Sequence, residues 1–309
     1  FWRDIIEMGT MTRTDLRTAI RNGVFLLDGA MGTQLIARGI EPGVCNDAIN
    51  VESPEIIADI HHAYLQAGSD AIVTNTFGAN RYALTRHGRS DEAYAISRAG
   101  AELARKAAGE GRYVLGDIGP TGDFLEPLGG LKADDVREAF AEQARGLLDG
   151  GADGFIIETM TALDELDVAV AAVKSLDSGL PVFASMSFDK TASDYRTMMG
   201  VDVSTAVTKM IALGVDAVGF NCGTATLDEY VVLAQAYVEA GRATGKDAIV
   251  FAEPNAGKPE LVDGEAVYRV TPEEFADAVK RIRAAGVHVL GGCCGTAPPF
   301  IAALAKALK

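Results

Sequence analysis

The stretch "TPEEFADAVKRIRAAGVHVLGGCCG", residues 271–295, reads as a helix feeding a strand that ends on two adjacent cysteines. Thr271 is an N-cap with Pro272 at the first helical position, Glu274 completes a capping box, and Gly286 closes the helix. "HVLGGCCG" (288–295) is a short apolar run bounded by glycine, the pattern of a strand buried on both faces. Upstream, "SPEIIADIHHAYLQAG" (53–68) and "DAIVTN" (70–75) follow the same grammar, Ser-Pro opening the helix and glycine ending it. Further strands are expected at "VFLLDG" (24–29), "YVLGDI" (113–118), "GFIIET" (154–159), "PVFASMSF" (181–188), "DAVGFNCG" (216–223) and "AIVFAEPN" (248–255). Eight strands, each followed by a helix and the last by "PPFIAALAKALK" (298–309), predict a single (β/α)8 TIM barrel over residues 24–309. A doubly wound open sheet is the competitor, but the first turn, "DGAMGTQL" (28–35), is not a dinucleotide fingerprint. Residues 1–23 read as an N-terminal extension. Met11 is a candidate natural start, which would make residues 1–10 an addition to the native chain. Two loops, 29–53 and 187–202, exceed what a connection needs, and such loops often carry lids and substrate contacts.

The 309 residues carry 28 basic and 43 acidic side chains, a net charge of -15, with no basic cluster to offset it. Such a chain is a poor partner for nucleic-acid phosphates or anionic lipid. No apolar run reaches the length of a membrane span, and the start lacks the layout of a secretory signal. Four cysteines and no export signal point to the cytoplasm, where thiols stay reduced and able to bind metal. A homo-oligomer is compatible with these totals.

In a (β/α)8 barrel the chemistry occupies the C-terminal ends of the strands. Those ends read Asp28, Asn75, Asp117, Glu158, Ser187, Cys222, Glu253 with Asn255, and Cys293 with Cys294. Three of the four cysteines therefore converge on one mouth, from the sixth and eighth strands. Three thiolates without a fourth protein ligand describe an open zinc site with one position left for substrate. His61 and His62 on the first crossover helix, His87 in a loop and His288 at the opposite end of the barrel offer little competition. Cys45, in the loop after the first strand, reads as a small core hydrophobe. Taking "GGCCGT" (291–296) as a phosphate cradle would leave Cys222 unexplained.

Three thiolates make zinc a weak Lewis acid but a good host for one more thiolate. A free thiol, with a pKa of about 8.5, is mostly protonated at neutral pH, and binding to a metal removes that proton. Thiol alkylation is the expected reaction class. Asp28 and Glu158 read as carboxylates for a substrate ammonium, with Asp28 equally able to cap its own turn. The amides of Gly29 to Thr33 and the side chains of Asn75 and Asn221 are candidates for holding a carboxylate. Tyr195, Phe188 and Phe77 serve either as part of a donor site or as packing. Two other classes compete. A Schiff-base aldolase needs a buried lysine, and the nearest, Lys190 and Lys258, lie in loops; a thiol or metal sensor needs Cys45 to close the site.

Together, "LLDGAMGTQL" (26–35), "ND" (46–47), "TNTFGAN" (74–80), "GFNCG" (219–223) and "GGCCGT" (291–296) resemble the zinc-dependent homocysteine S-methyltransferase family. That family includes betaine–homocysteine and S-methylmethionine–homocysteine methyltransferases and the homocysteine module of cobalamin-dependent methionine synthase. The resemblance runs from residue 24 to the C-terminus. It implies Cys222, Cys293 and Cys294 as zinc ligands, homocysteine sulfur as an exchangeable ligand, and Asp28 and Glu158 at its amino group. The methyl donor it implies is either a separate corrinoid protein or a betaine-like onium compound. The aromatic cage of animal betaine enzymes is missing: Gly78 and Thr159 stand where tyrosines would, and "VCNDAIN" (44–50) replaces the loop tryptophan. The "ND" loop and "TNTFGAN" look more like the methionine-synthase module, whereas Tyr195, Met198 and Met199 offer material for a different cation pocket.

Overall fold

Apolar runs too short for helices, closed off by Gly, Asp or Pro, become eight parallel strands. They are β1 (Phe25–Leu26), β2 (Ala71–Val73), β3 (Tyr113–Ile118), β4 (Gly154–Met160), β5 (Val182–Met186), β6 (Ala217–Asn221), β7 (Ile249–Glu253) and β8 (Val289–Leu290). This computed structural model describes residues 13–262 and 265–309; Met11 and the expected added segment 1–10 lie outside the described residues. Neighbouring strands pair in the order β1-β8-β7-β6-β5-β4-β3-β2, a nearly closed (β/α)8 barrel. At the seam between β1 and β2, the Asp70 N–H donates to the Leu26 carbonyl at 2.7 Å, and Asp70 Oδ2 accepts from the Leu26 N–H at 2.9 Å.

Helices α1 (Pro54–Ala67), α2 (Ala93–Ala108), α3 (Ala133–Asp149), α4 (Leu163–Lys174), α5 (Val203–Ala212), α6 (Leu227–Ala243), α7 (Pro272–Ala285) and α8 (Pro298–Leu308) surround the strands. The capping box of Thr271 and Glu274 forms as expected, and Gly286 ends α7 at φ 115°, where a side chain would be strained. Ser53 differs. Its hydroxyl makes no cap bond, and its backbone carbonyl accepts from the Ile56 N–H instead. Among the described residues no helix is long and apolar enough to cross a membrane.

Side chains alternate along each strand. Tyr113, Leu115, Ile156, Phe183, Phe251 and Val289 fill the barrel interior, while Val114, Ile157, Val182, Val218, Val250 and Leu290 pack outwards under the helices. Counted onward in twos, the inner rows arrive at Asp117, Glu158, Asn221, Glu253 and Cys293 at the C-terminal mouth. The opposite end is sealed by Leu16 and Ile20, which join the interior cluster from the short helix Leu16–Ala19 and its cap. Loop 29–53 folds into short helices, including Met31–Ala37 and Ile49–Glu52, and loop 187–202 into a hairpin of Asp189–Lys190 with Tyr195–Arg196. A third long loop, not expected from the sequence, follows β7 and pairs Glu260–Val262 with Glu265–Val267. Its three-residue strands are too short for alternation to be read.

Candidate metal centre and substrate cavity

Cys222, Cys293 and Cys294 bring their Sγ atoms within 4.8 Å of one another, and Cys222 Sγ lies 3.8 Å from Cys294 Sγ. A tetrahedral zinc with Zn–S bonds of about 2.3 Å sets its sulfurs about 3.8 Å apart. The spacing and the soft donors therefore fit zinc, and three sulfurs leave one vertex open. This is the one such cluster among the described residues. Cys45 is buried elsewhere with Ala48, Ala79 and Leu84, so no fourth thiol closes the site.

The two strand ends deliver the sulfurs by different means. Cys293 continues the inner row of β8. Cys222 is out of phase by one residue and enters the mouth because its backbone turns to φ 55°, a conformation costly for any side chain. Gly223 follows at φ 81°, where a Cβ would run into the Phe188 carbonyl oxygen. Tyr230 OH holds the turn by donating to the Cys222 carbonyl at 2.7 Å. On the β8 side, Thr296 Oγ1 donates to the Cys293 carbonyl at 2.6 Å and accepts from the Ala30 N–H at 3.2 Å, joining the cysteine turn to the first loop. A Cβ on Gly29 would come within 2.8 Å of that oxygen, so the close approach needs glycine. Hydrogen bonds from Cys222 and then Cys293 pull the Cys294 thiol down to about 3. Contacts with Cys222 and Cys294, followed by burial, push Cys293 well above the usual thiol range.

The sulfurs line a cavity of 480 Å³ whose walls include Asp28, Asp47, Asp117, Glu158 and Glu253 but no lysine or arginine. Burial raises all five carboxyls, Asp47 to about 6 and Glu158 to about 7. Glu158 is set by a register shift in β4 between Ile157 and Met160, with Thr159 at φ 62°. Asn221 locks that turn. Its Nδ2 donates to Glu158 Oε2 at 3.2 Å and Thr159 Oγ1 at 2.7 Å, its Oδ1 accepts from Ser185 Oγ at 2.7 Å, and its Nδ2 approaches Cys293 Sγ at 3.9 Å. Asn75 Nδ2 donates to the Asn46 carbonyl at 2.7 Å and to Asn50 Oδ1 at 3.2 Å. Both side-chain amides expected to hold a carboxylate thus have their N–H groups engaged within the protein.

Of the aromatic residues singled out from the sequence, Phe77 lines the cavity. Phe188 is buried edge-on against Tyr237, Tyr195 lies under Lys190 Nζ at 4.6 Å, and Met198 is exposed. Lys190 and Lys258 are exposed and absent from the lining, which leaves an aldolase without its amine. His61 is fully buried and burial pulls its pKa to about 3, whereas His62 is exposed; His87 reaches the cavity, and His288 accepts from the Val250 N–H at the far end. Tyr268 was missed by sequence reasoning. The loop after β7 lays its ring against Gly295, the residue after Cys294, where a Cβ would run into the ring. Nothing local to Tyr268 in the sequence signals that contact.

A family model described as homocysteine S-methyltransferase matches residues 25–308. The chain is 36% identical over 316 residues to methionine synthase of Mycobacterium tuberculosis (strain ATCC 25618 / H37Rv), across 96% of this chain and 25% of that protein. Methionine synthase of Mycobacterium leprae (strain TN) is likewise 36% identical, over 318 residues and 25% of its length. The chain thus spans 25% of the length of these curated relatives. Among solved structures, the homocysteine methyltransferase MmuM from Escherichia coli matches at 25% identity and a TM-score of 0.75. Its oxidised form covers 95% of this chain and its metallated form 94%, each over 99% of that protein.

Proposed function

The chain belongs to the homocysteine S-methyltransferase family, and we propose that it transfers a methyl group to the sulfur of homocysteine, giving methionine, at the three-cysteine cluster. The observation that carries this reading is the gathering of Cys222, Cys293 and Cys294 at zinc-like spacing on the wall of an acidic cavity. Zinc held by these sulfurs would supply an open coordination position at which an incoming thiol loses its proton at neutral pH. The protein's own groups account for the rest. Asp28 and Glu158 face the cavity as acceptors for the amino group, and Asn221 fixes Glu158 beside the sulfurs. Asn75 acts by holding the first loop against β2, and Gly29 by letting that loop meet Thr296. Residues 24–309 form the catalytic unit, with the described part of 1–23 sealing its base. A reducing compartment such as the cytoplasm suits three unpaired thiols.

The test is zinc content and methionine formation by reduced protein, wild type beside Cys294→Ala, with betaine, S-methylmethionine and a methylcorrinoid offered separately. Wild type is expected to hold about one zinc per chain and to form methionine from one donor, and the variant to lose both. Wild type without metal, prepared without chelator, would sink the proposal.

A further inference from the structure

At the base of the barrel, the residue before each even-numbered strand makes the same pair of bonds to the strand before it. Asp70, Asp153, Asp216 and His288 precede β2, β4, β6 and β8. Their N–H groups donate to the carbonyls of Leu26, Val114, Val182 and Val250 at 2.7, 2.8, 2.7 and 2.8 Å. Their side chains accept in return from the N–H of that same residue, Oδ2 of the three aspartates at 2.9, 2.8 and 2.8 Å and His288 Nδ1 at 3.3 Å. The base is thus a fourfold repeat whose last member is a histidine.

The three aspartates also bring negative charge, and cations meet it. Asp70 pairs with Arg112 and Lys309, Asp153 with Arg13 and Arg105, and Asp216 with Arg17. His288 brings no carboxylate, yet cations gather there as well. With Arg242, Lys246, Asp247 and Arg283 it lines a second cavity, of 270 Å³, between the ends of α6 and α7. Among the described residues none of Arg242, Lys246 and Arg283 pairs with a carboxylate. Asp247 is taken by Arg21 at 2.7 Å, and its side chain is 87% exposed.

Arg242 and Arg283 lie in the last turns of α6 and α7, where a cation complements the negative end of a helix. That role accounts for Arg283, which donates to the Val287 carbonyl at 2.8 Å and the Gly23 carbonyl at 3.3 Å. Arg242 makes no such bond among the described residues. Its Nη2 reaches across to the end of α7, 3.7 Å from where a Cβ on Gly286 would stand. Because His288 accepts at Nδ1, its proton sits on Nε2, a further donor. Like charges held together in one hollow repel, and an anion bound among them relieves that repulsion.

We propose that this hollow binds a phosphate group, free or carried by a small phosphomonoester, in the place that an aspartate carboxylate holds at the other three strand starts. The guanidinium groups of Arg242 and Arg283 suit a phosphate's paired oxygens, and Lys246 adds a point charge. The site lies at the opposite end of the barrel from the cysteines, so its ligand acts on the junction of β7 and β8 and stabilises the fold by mass action.

Titration calorimetry on reduced, zinc-loaded protein at constant ionic strength tests this, with inorganic phosphate and glycerol 3-phosphate as separate ligands. Wild type is expected to bind one phosphate per chain with a Kd of about 1 mM or tighter. The double variant Arg242→Gln, Lys246→Gln changes two exposed side chains, and it should keep its zinc while binding phosphate roughly tenfold more weakly or worse. His288→Asp is expected to abolish phosphate binding, since it supplies the carboxylate and keeps an acceptor for the Val250 N–H. Tighter binding of glycerol 3-phosphate than of phosphate makes a phosphomonoester the ligand, and the reverse makes it free phosphate. Equal phosphate binding by wild type and the double variant overturns the site, as does phosphate binding retained by His288→Asp. Wild type whose Kd for both ligands exceeds about 10 mM overturns it too.

Discussion

Asp47 shows how a single side chain ties the site to pH. Its Oδ1 accepts from the Gly78 N–H at 2.9 Å, but burial outweighs that bond and raises its pKa to about 6, above the ordinary aspartate value of 3.8. The folded protein therefore binds more protons here than the unfolded chain between about pH 4 and pH 6. Stability from this group is fully present below the lower value, is lost as pH rises through 6, and stays lost above it. Two units correspond to about 3 kcal/mol at most. Asp47→Asn, which keeps an acceptor for Gly78, is expected to match wild type at pH 4 and to exceed it by about 2 kcal/mol at pH 7 in urea unfolding. An offset independent of pH would refute the assignment. The zinc-type cysteines were legible because residue type and strand position sufficed. The buried state of Asp47 was not, because it depends on the loop 29–53 folding back onto β2.

At the scale of elements, the strand ends carry both the chemistry and the strain. Gly223 at φ 81° stands against the Phe188 carbonyl, directly after Cys222, whereas Gly39 at φ 87° has nothing within 4 Å. Alanine at Gly39 should cost only the backbone term, about 1 kcal/mol. Alanine at Gly223 must also displace the loop after β5, so a loss of about 3 kcal/mol or more is expected, together with loss of bound zinc. Thermal unfolding and metal analysis of the two variants side by side check this, and zinc retained by Gly223→Ala would show that the turn does not position Cys222. The same comparison explains what could be read beforehand. Asp117, Glu158, Asn221, Glu253 and Cys293 follow from a period of two along strands whose apolar runs were visible. The positive φ of Cys222 and the register shift at Thr159 break that period, and no residue type announces either.

For the whole molecule, the (β/α)8 barrel was legible because eight buried strands and their capped helices repeat one pattern along the chain. How the barrel closes was not, since β1 contributes only two residues and forms no strand pair with β2. Closure falls to Asp70. Its N–H donates to the Leu26 carbonyl, its Oδ2 accepts from the Leu26 N–H, and its carboxylate also meets Arg112 at 3.2 Å and Lys309 at 2.6 Å. The two ion pairs are partly exposed and contribute little, whereas an orphaned Leu26 N–H inside the seam is costly. Asp70→Ala should therefore lower stability by about 2 kcal/mol, and Asp70→Asn, which keeps the acceptor and discards the charge, should recover most of that. Urea midpoints with an unchanged m-value would report the difference. If Asn and Ala prove equally damaging, charge rather than the backbone bond holds the seam. The first strand would then be fastened by Arg112 and by Lys309 at the chain's last residue, and high salt should loosen it.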